Sequence, residues 1–390
     1  MNVPIELPSA RCPQAPQAVA DAQWVDSPDR YAELGQEMSL NGWLGMDTEF
    51  VRERTFYPNP GLVQLSDGQR VWLVDVATLS NHAPMEALLA QTSSYQVLHS
   101  VGEDLEIFQL LTGRCPARLF DTQLAAAMLG FGLQTRYEHL IELVFGDTLP
   151  GGQARSNWCQ RPLSDALLSY AAQDVIYLPA LAQVLADALD KHDRLAWLLE
   201  DCARLVAQKS NPATADPVTR VKGVGRLPRE AMAYVDRLAR WREEQAQARN
   251  LPRSFVLKDD ILCAIGLMAH SAGVDQAVGA HRKPLGRWVD TCRDILRKTQ
   301  PGQFEIPAPL VGLSTEQRQR LKEWQAKIAT LADSLNVEPA LIASKRELSR
   351  LLTGEQPDWM RGWRGPLVRD ALQLPAKQCL GSSGDRAAAS

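Results

Sequence analysis

The chain has 390 residues, 45% of them hydrophobic and 23% charged, with a formal net charge of -4. That length and balance fit a water-exposed globular protein of two or three domains and exclude a low-complexity or fibrous chain. No stretch approaches the ~20 apolar residues of a membrane helix, and Met1 to Pro28 has no apolar core of the signal-peptide kind, so a cytoplasmic protein without membrane partners is expected. Seven scattered cysteines show neither Cys-x-x-Cys pairs nor Cys/His ligand spacing, which points to reduced thiols and no zinc module.

In chain order, residues 1–22 read as a flexible leader. Trp43 to Val51 is a short apolar run interrupted by two acids, Asp47 and Glu49. It reads as a central strand, and two-residue spacing points both carboxylates to one face. Tyr95 to His99 is a second strand, followed by Gly102 and a helical pattern through Leu105, Phe108 and Leu111 that places Asp104 in a first turn. Asp121 reads as the N-cap of the next helix and not as a metal ligand. A single helix is expected from about Ser164 to beyond Leu181, with Tyr170 and Asp174 on one face at i and i+4. Helix continues to about Leu205, and the polar, proline-punctuated segment 206–217 reads as a linker.

The rest is helical by period, with arginines from Arg226 to Arg253 interleaved among apolar positions and diluted by Glu230, Asp236, Glu243 and Glu244. This surface is either a solvated helical face or one that tracks phosphates. Asn250-Leu251-Pro252 through Leu262 parallels Asn336-Val337-Glu338 through Leu348, and Pro301-Gly302 and Pro307-Ala308-Pro309 separate the copies. The reading is an α/β domain at 23–205, helical bundles at 218–300 and 312–376, a linker at 301–311, and a small, polar, disordered tail at 377–390.

Each acidic motif has an ordinary reading: a solvated strand face, a capping acid, a surface pair on a helix. The set together reads differently. Four carboxylates gathered without cations repel, at about 4 kcal/mol for each pair ~4 Å apart at an effective dielectric near 20. Hard divalent cations choose oxygen ligands, and four acids fit two magnesium or manganese ions arranged to clamp the attacking and leaving oxygens of an in-line phosphoryl displacement. The Tyr170 hydroxyl is then placed to aim an attacking water, a positioning task that needs no shifted pKa.

Met46-Asp47-Thr48-Glu49-Phe50-Val51-Arg52, Gly61-Leu62-Val63-Gln64-Leu65, Leu98 through Glu106, Arg155-Ser156-Asn157-Trp158, Arg161-Pro162-Leu163 and Tyr170-Ala171-Ala172-Gln173-Asp174-Val175 resemble the ribonuclease D family, in the tyrosine branch of the DEDD exonucleases. The histidine branch would need His where Ser169 stands. The resemblance implies a ribonuclease-H-like mixed sheet flanked by helices, acting as a 3′-to-5′ exoribonuclease that releases mononucleotides, chiefly from the 3′ trailers of tRNA precursors. It also implies that Asp47 bridges two metals, Glu49 and Asp174 complete the first site, Asp104 supports the second, and Tyr170 holds the water. The segment from Asn250 resembles the HRDC domain, a small helical bundle, and the segment from Asn336 a divergent copy.

Seven further residues are candidates for holding RNA: Phe50 by stacking, and Arg52, Arg54, Gln64, His99, Arg155 and Arg161 by polar contact. For Phe50 and His99 a structural role is an equal alternative. Relatives usually carry a lysine before the Ser-x-Trp motif; this chain has none between Leu149 and Arg155, and Arg155 or Arg161 would substitute. A proofreading-type 3′-to-5′ DNA exonuclease and an inactive RNA-binding or helicase-partner module are the competing readings. The HRDC-like tail favours RNA over DNA, and the complete acid set argues against a pure binder. A monomer is expected.

Overall fold

The computed structural model describes residues 4–38, 42–153, 155–210 and 216–375. Six strands form one mixed sheet in the order β1-β4-β3-β2-β5-β6: β1 (Gln23–Val25), β2 (Trp43–Val51), β3 (Asn59–Ser66), β4 (Val71–Val74), β5 (Tyr95–Leu98) and β6 (Leu119–Asp121). Only β3 runs against its neighbours; β1 with β4, β2 with β5 and β5 with β6 are parallel pairs. The middle strands are buried on both faces, which explains near-continuous apolar runs in place of strict alternation.

The expected strands and the helix start fall where the sequence places them. β5 leads through Ser100, at φ 63, into the Asp104–Thr112 helix. Asp121 caps the Thr122–Met128 helix, accepting from the Gln123 and Leu124 N–H groups, and Ser164 caps the next expected helix through the Leu167 N–H.

That helix is not one piece. It ends at Ile176, and a second runs over Leu178–Lys191 with Pro179 in its first turn. Proline supplies no N–H to the preceding turn yet is well accommodated at a helix start, so the chain restarts there without losing its apolar period. The first of the two helices packs across β2, β3 and β4, the second against β2 and β5.

Residues 4–22 are not a flexible leader. The Ile5 N–H donates to the Leu129 carbonyl and the Ala10 N–H to that of Val144, and Cys12, Ala15 and Ala18 are buried; apolar contact and paired backbone groups together hold this segment on the sheet domain. The expected linker at 206–217 is also shorter than its composition suggests, because the Leu195–Ser210 helix continues into it. Phe304, Ile306 and Leu310, in the expected linker at 301–311, pack on the helices before them. The tail at 377–390 lies outside the described residues.

Apolar side chains between Val218 and Leu296 form a core of their own, built mainly on the Arg229–Ala248 and Asp259–Ala272 helices. Those between Leu321 and Leu372 do not; they are continuous with the core beneath the sheet.

Candidate active site

β2 and the Asp165–Ile176 helix meet at Gly45. A Cβ there would lie 2.7 Å from the Val175 carbonyl oxygen and 3.1 Å from Leu178 Cβ and Pro179 Cδ. Only a glycine permits this approach, and the approach brings Asp174 to the strand that carries Asp47 and Glu49. One carboxylate oxygen from each of the three acids lies within 4.8 Å of the others, and among the described residues this is the compact group of potential metal ligands. Asp104 enters from the opposite side of β2, where its Oδ1 accepts the Thr48 hydroxyl at 2.5 Å. All four acids and Tyr170 line one open cavity of about 420 Å³, shared with Phe50, His99, Tyr137 and Glu138.

Burial pushes every acid in the cluster up, and at Asp47 and Glu49 the charges of the other acids add to it. Asp47 is raised well above the usual carboxylate range by burial, then by the charges of Asp104, Asp174 and Glu49. Burial with Asp174 and Asp104 nearby takes Glu49 to about 9. Asp174 rises to about 7 and Asp104 to about 6, burial again leading, with partial relief from the Tyr170 and Thr48 hydroxyls. Tyr170 donates to Asp174, and burial beside three carboxylates raises its phenol, which therefore stays neutral. Clustered hard oxygens that carry excess negative charge and open to solvent fit divalent cations, whose charge opposes each upward shift.

The substrate-facing candidates divide. Phe50 lines the cavity. His99 does too, but its Nδ1 faces Thr122 Oγ1 at 2.9 Å and its Nε2 the Thr135 carbonyl at 3.1 Å, while burial lowers its pKa. Gln64 is not among the residues that line the cavity: it lies directly opposite Asp47 on β3 and is fully buried, on a strand that the Asp165–Ile176 helix packs across. Arg161 is not a free cation either. It ion-pairs with the buried Asp75 and donates to the carbonyls of Gly61, Trp158 and Gln160. This clamp fixes the Ser156–Trp158 turn against β3 at Gly61, where a Cβ would meet the Trp158 carbonyl at 2.6 Å, and the seated Trp158 ring backs Tyr170 at 6.1 Å between centroids. Arg155 is exposed and outside the cavity lining; its loop borders the cavity where Gly151 approaches Glu138.

Sequence reasoning missed Thr48, Tyr137 and Glu138. Thr48 sits between the two strand acids and was discoverable as the residue facing the other way. Tyr137, whose hydroxyl donates to the Gln173 carbonyl, steadies the backbone beside Asp174; nothing in its spacing signals this.

A mixed sheet with acids converging from β2, the helix after β5 and the Asp165–Ile176 helix defines the 3′-5′ exonuclease class, and the family model described as "3′-5′ exonuclease" matches residues 22–190. Ribonuclease D of Pseudomonas paraeruginosa is 36% identical over 366 residues, covering 90% of this chain and 96% of its own length. That of Escherichia coli is 28% identical, with 90% and 97% covered, and its crystal structure superposes with a TM-score of 0.81 over 90% of this chain and 98% of that one at 26% identity. The chain belongs to the ribonuclease D family and is a 3′-to-5′ exoribonuclease that uses divalent metal.

Proposed function

We propose that Asp47, Glu49, Asp104 and Asp174 hold two divalent cations, magnesium or manganese, and that the enzyme removes mononucleotides from the 3′ trailers of tRNA precursors. The carrying observation is the meeting of Asp47, Glu49 and Asp174 within 4.8 Å at the floor of an open cavity. Cations held there supply the positive charge that stabilises the attacking and leaving oxygens of an in-line displacement at phosphorus.

The protein's own groups do the placing. Tyr170, kept neutral, offers its hydroxyl to orient the attacking water, and its bond to Asp174 fixes the direction of that hydroxyl. Phe50 gives the terminal base a face to stack on. Arg155, on the loop at the cavity rim, meets the phosphate that other members hold with lysine.

The substrate reading draws on the E. coli relative, whose structure is described as that of an exoribonuclease involved in structured RNA processing. The spans 23–205, 218–300 and 312–376 serve as exonuclease domain and two HRDC-like units in a cytoplasmic monomer. Single strands thread into such a cavity, whereas the deep, narrow groove of an A-form stem resists side chains, so trimming halts at stable stems.

Replacing Asp47 by Asn is expected to lower turnover on a 3′-tailed tRNA by about a hundredfold or more while the circular dichroism spectrum stays that of the parent. Chelation should abolish parental activity and added Mg²⁺ or Mn²⁺ restore it. Near-parental turnover by Asp47→Asn would overturn the assignment of the acids. Matched RNA and DNA tails digested side by side decide the polymer, with RNA expected to be cut faster.

A further inference from the structure

Where β2 ends, the chain passes from the acidic cavity onto a surface made by two parts of the molecule. The Arg52 guanidinium stands 5.9 Å from the Phe50 ring centre but is committed to Glu106 at 2.6 Å. Residues 53–57 then reach the first helical bundle, where the Asn250 side-chain oxygen accepts the N–H groups of both Phe56 and Tyr57 at 3.0 Å. Phe56, half-buried with the Arg253 guanidinium 4.6 Å from its ring, anchors the turn.

The neighbours of that anchor face outward. Tyr57 packs edge-on to Phe56 at 4.9 Å and is 39% exposed; Phe255, on the bundle, is 55% exposed. The exposed Arg54 lies 5.8 Å from the Phe255 ring and makes no ion pair among the described residues. Beyond Phe255, an open cavity of about 550 Å³ is lined by Ser254, Lys222 and Lys258 together with two acids, Asp259 and Asp260. Both lysine side chains are exposed and make no ion pair among the described residues, although the Lys222 backbone N–H donates to Asp259; on the same wall Arg253 is paired with Glu243 and Arg242 with Asp259.

Single exposed apolar residues are ordinary, but an exposed aromatic and an unpaired guanidinium on a turn pinned by two hydrogen bonds, with a second exposed aromatic of the bundle against that guanidinium, are a built feature. Alternating aromatic faces and free cations match the bases and phosphates of an unpaired strand; a duplex hides its base faces. The ledge also lies within reach of the site. Tyr57 follows Phe50 by seven residues, a reach of at most ~25 Å, and with the 3′ end in the cavity the RNA outside it is the part 5′ of the terminal nucleotide.

We propose that Tyr57, Arg54 and Phe255 form a stacking ledge for unpaired bases 5′ of the reacting end, with Lys222 and Lys258 meeting the phosphates beyond. This rests on the exoribonuclease reading and adds a second contact to it, outside the acidic cavity.

The test uses the full chain and a Tyr57→Ala/Phe255→Ala double variant on a dinucleotide, which reaches only the cavity, and on unpaired oligoadenylate tails of increasing length. For the parent, KM should fall once tails become long enough to reach the ledge. The double variant should lose that fall, with KM about tenfold higher on long tails and an unchanged kcat/KM on the dinucleotide, and Phe255→Trp in place of Phe255→Ala should recover most of it. As a check independent of any variant's folding, long tails with abasic sites at the ledge-reaching positions should lose their advantage on the parent enzyme. Equal effects on all lengths, no effect on any, or abasic tails binding as well as intact ones would each overturn the ledge. A parent that cleaves no RNA at all would instead overturn the exoribonuclease reading.

Discussion

At Glu49 burial and two neighbouring carboxylates act in one direction, and the carboxyl is held to about 9 against an ordinary 4.5. Asp174 and Asp104 follow at about 7 and 6. Because each folded value lies above the unfolded one, the native state binds more protons than the unfolded chain between about pH 4 and 9. Stability from these groups is therefore fully present below that window and is lost as pH rises through it. Divalent cations replace those protons, so the gain in thermal midpoint on adding Mg²⁺ should grow steadily from pH 5.5 to 8.5; a gain independent of pH would refute the cluster's electrostatics. Removing one charge with Asp47→Asn should raise the metal-free midpoint at pH 8.5 while erasing most of the Mg²⁺ response, as differential scanning fluorimetry with and without chelator would show. The acids were legible in the sequence because two charges interrupting an apolar strand demand an explanation. Arg161 was not, since a charge in a motif does not name its partner: Asp75 lies 86 residues away in the chain. Gln64 was read from its motif as a contact for RNA, and only packing reveals that a helix covers it.

The elements carrying those side chains are positioned by backbone contact, and Gly45 is where that shows. An added methyl at Gly45 would press on the Val175 backbone carbonyl and on the Pro179 ring, neither of which can swing away as a flexible side chain would. Gly45→Ala is expected to cost about 1–3 kcal/mol, as overpacking does, and to weaken Mg²⁺ binding by separating Asp174 from Asp47 and Glu49. Gly279, in the Val274–Ala280 helix, has nothing within 4 Å of its would-be Cβ, and Gly279→Ala should stabilise by up to about 1 kcal/mol with metal affinity untouched. Urea denaturation and isothermal titration with Mn²⁺ on the two variants separate a close approach from a general intolerance of substitution. Strand identity and helix starts could be read from spacing and caps, yet the interruption at Tyr177 could not. The apolar period runs on through Leu178 and Leu181, and Pro179 marks a restart only once the preceding turn is seen to end.

Across the whole molecule, the repeat seen in the sequence is a repeat of backbone. Asn250 and Asn336 both hold left-handed conformations, at φ 49 and 53, and each precedes a four-residue helix, Arg253–Val256 or Pro339–Ile342, that leads into a longer one. What the repeat could not show is that its copies attach differently. The first meets the sheet domain through Asn250 and the Phe56 turn and keeps a separate core. The second fuses with it: Trp363 stacks on Trp197 at 4.3 Å, the Trp363 N–H donates to Glu200, Arg194 donates to the Leu335 carbonyl, and Arg364 ion-pairs with Asp201, which is wholly buried. Asp201 retains Arg204 at 3.2 Å and the Trp363 indole N–H at 3.3 Å as further partners. Removing Arg364 therefore strips a buried carboxylate of one of its two cations, a change that destabilises by about 3 kcal/mol or more where such pairs are broken. In calorimetry of Arg364→Met, the transition containing the sheet domain and the C-terminal helices should move down as one unit while that of the first bundle stays in place. Arg364→Met/Asp201→Leu should recover part of the loss, because no buried carboxylate remains and the charge that loses its partner, on Arg204, is partly exposed. If the C-terminal helices instead melted alone, ahead of an unmoved sheet domain, the shared core would not be a shared folding unit, and hydrogen exchange in Leu195–Ser210 would locate where the two parts come apart.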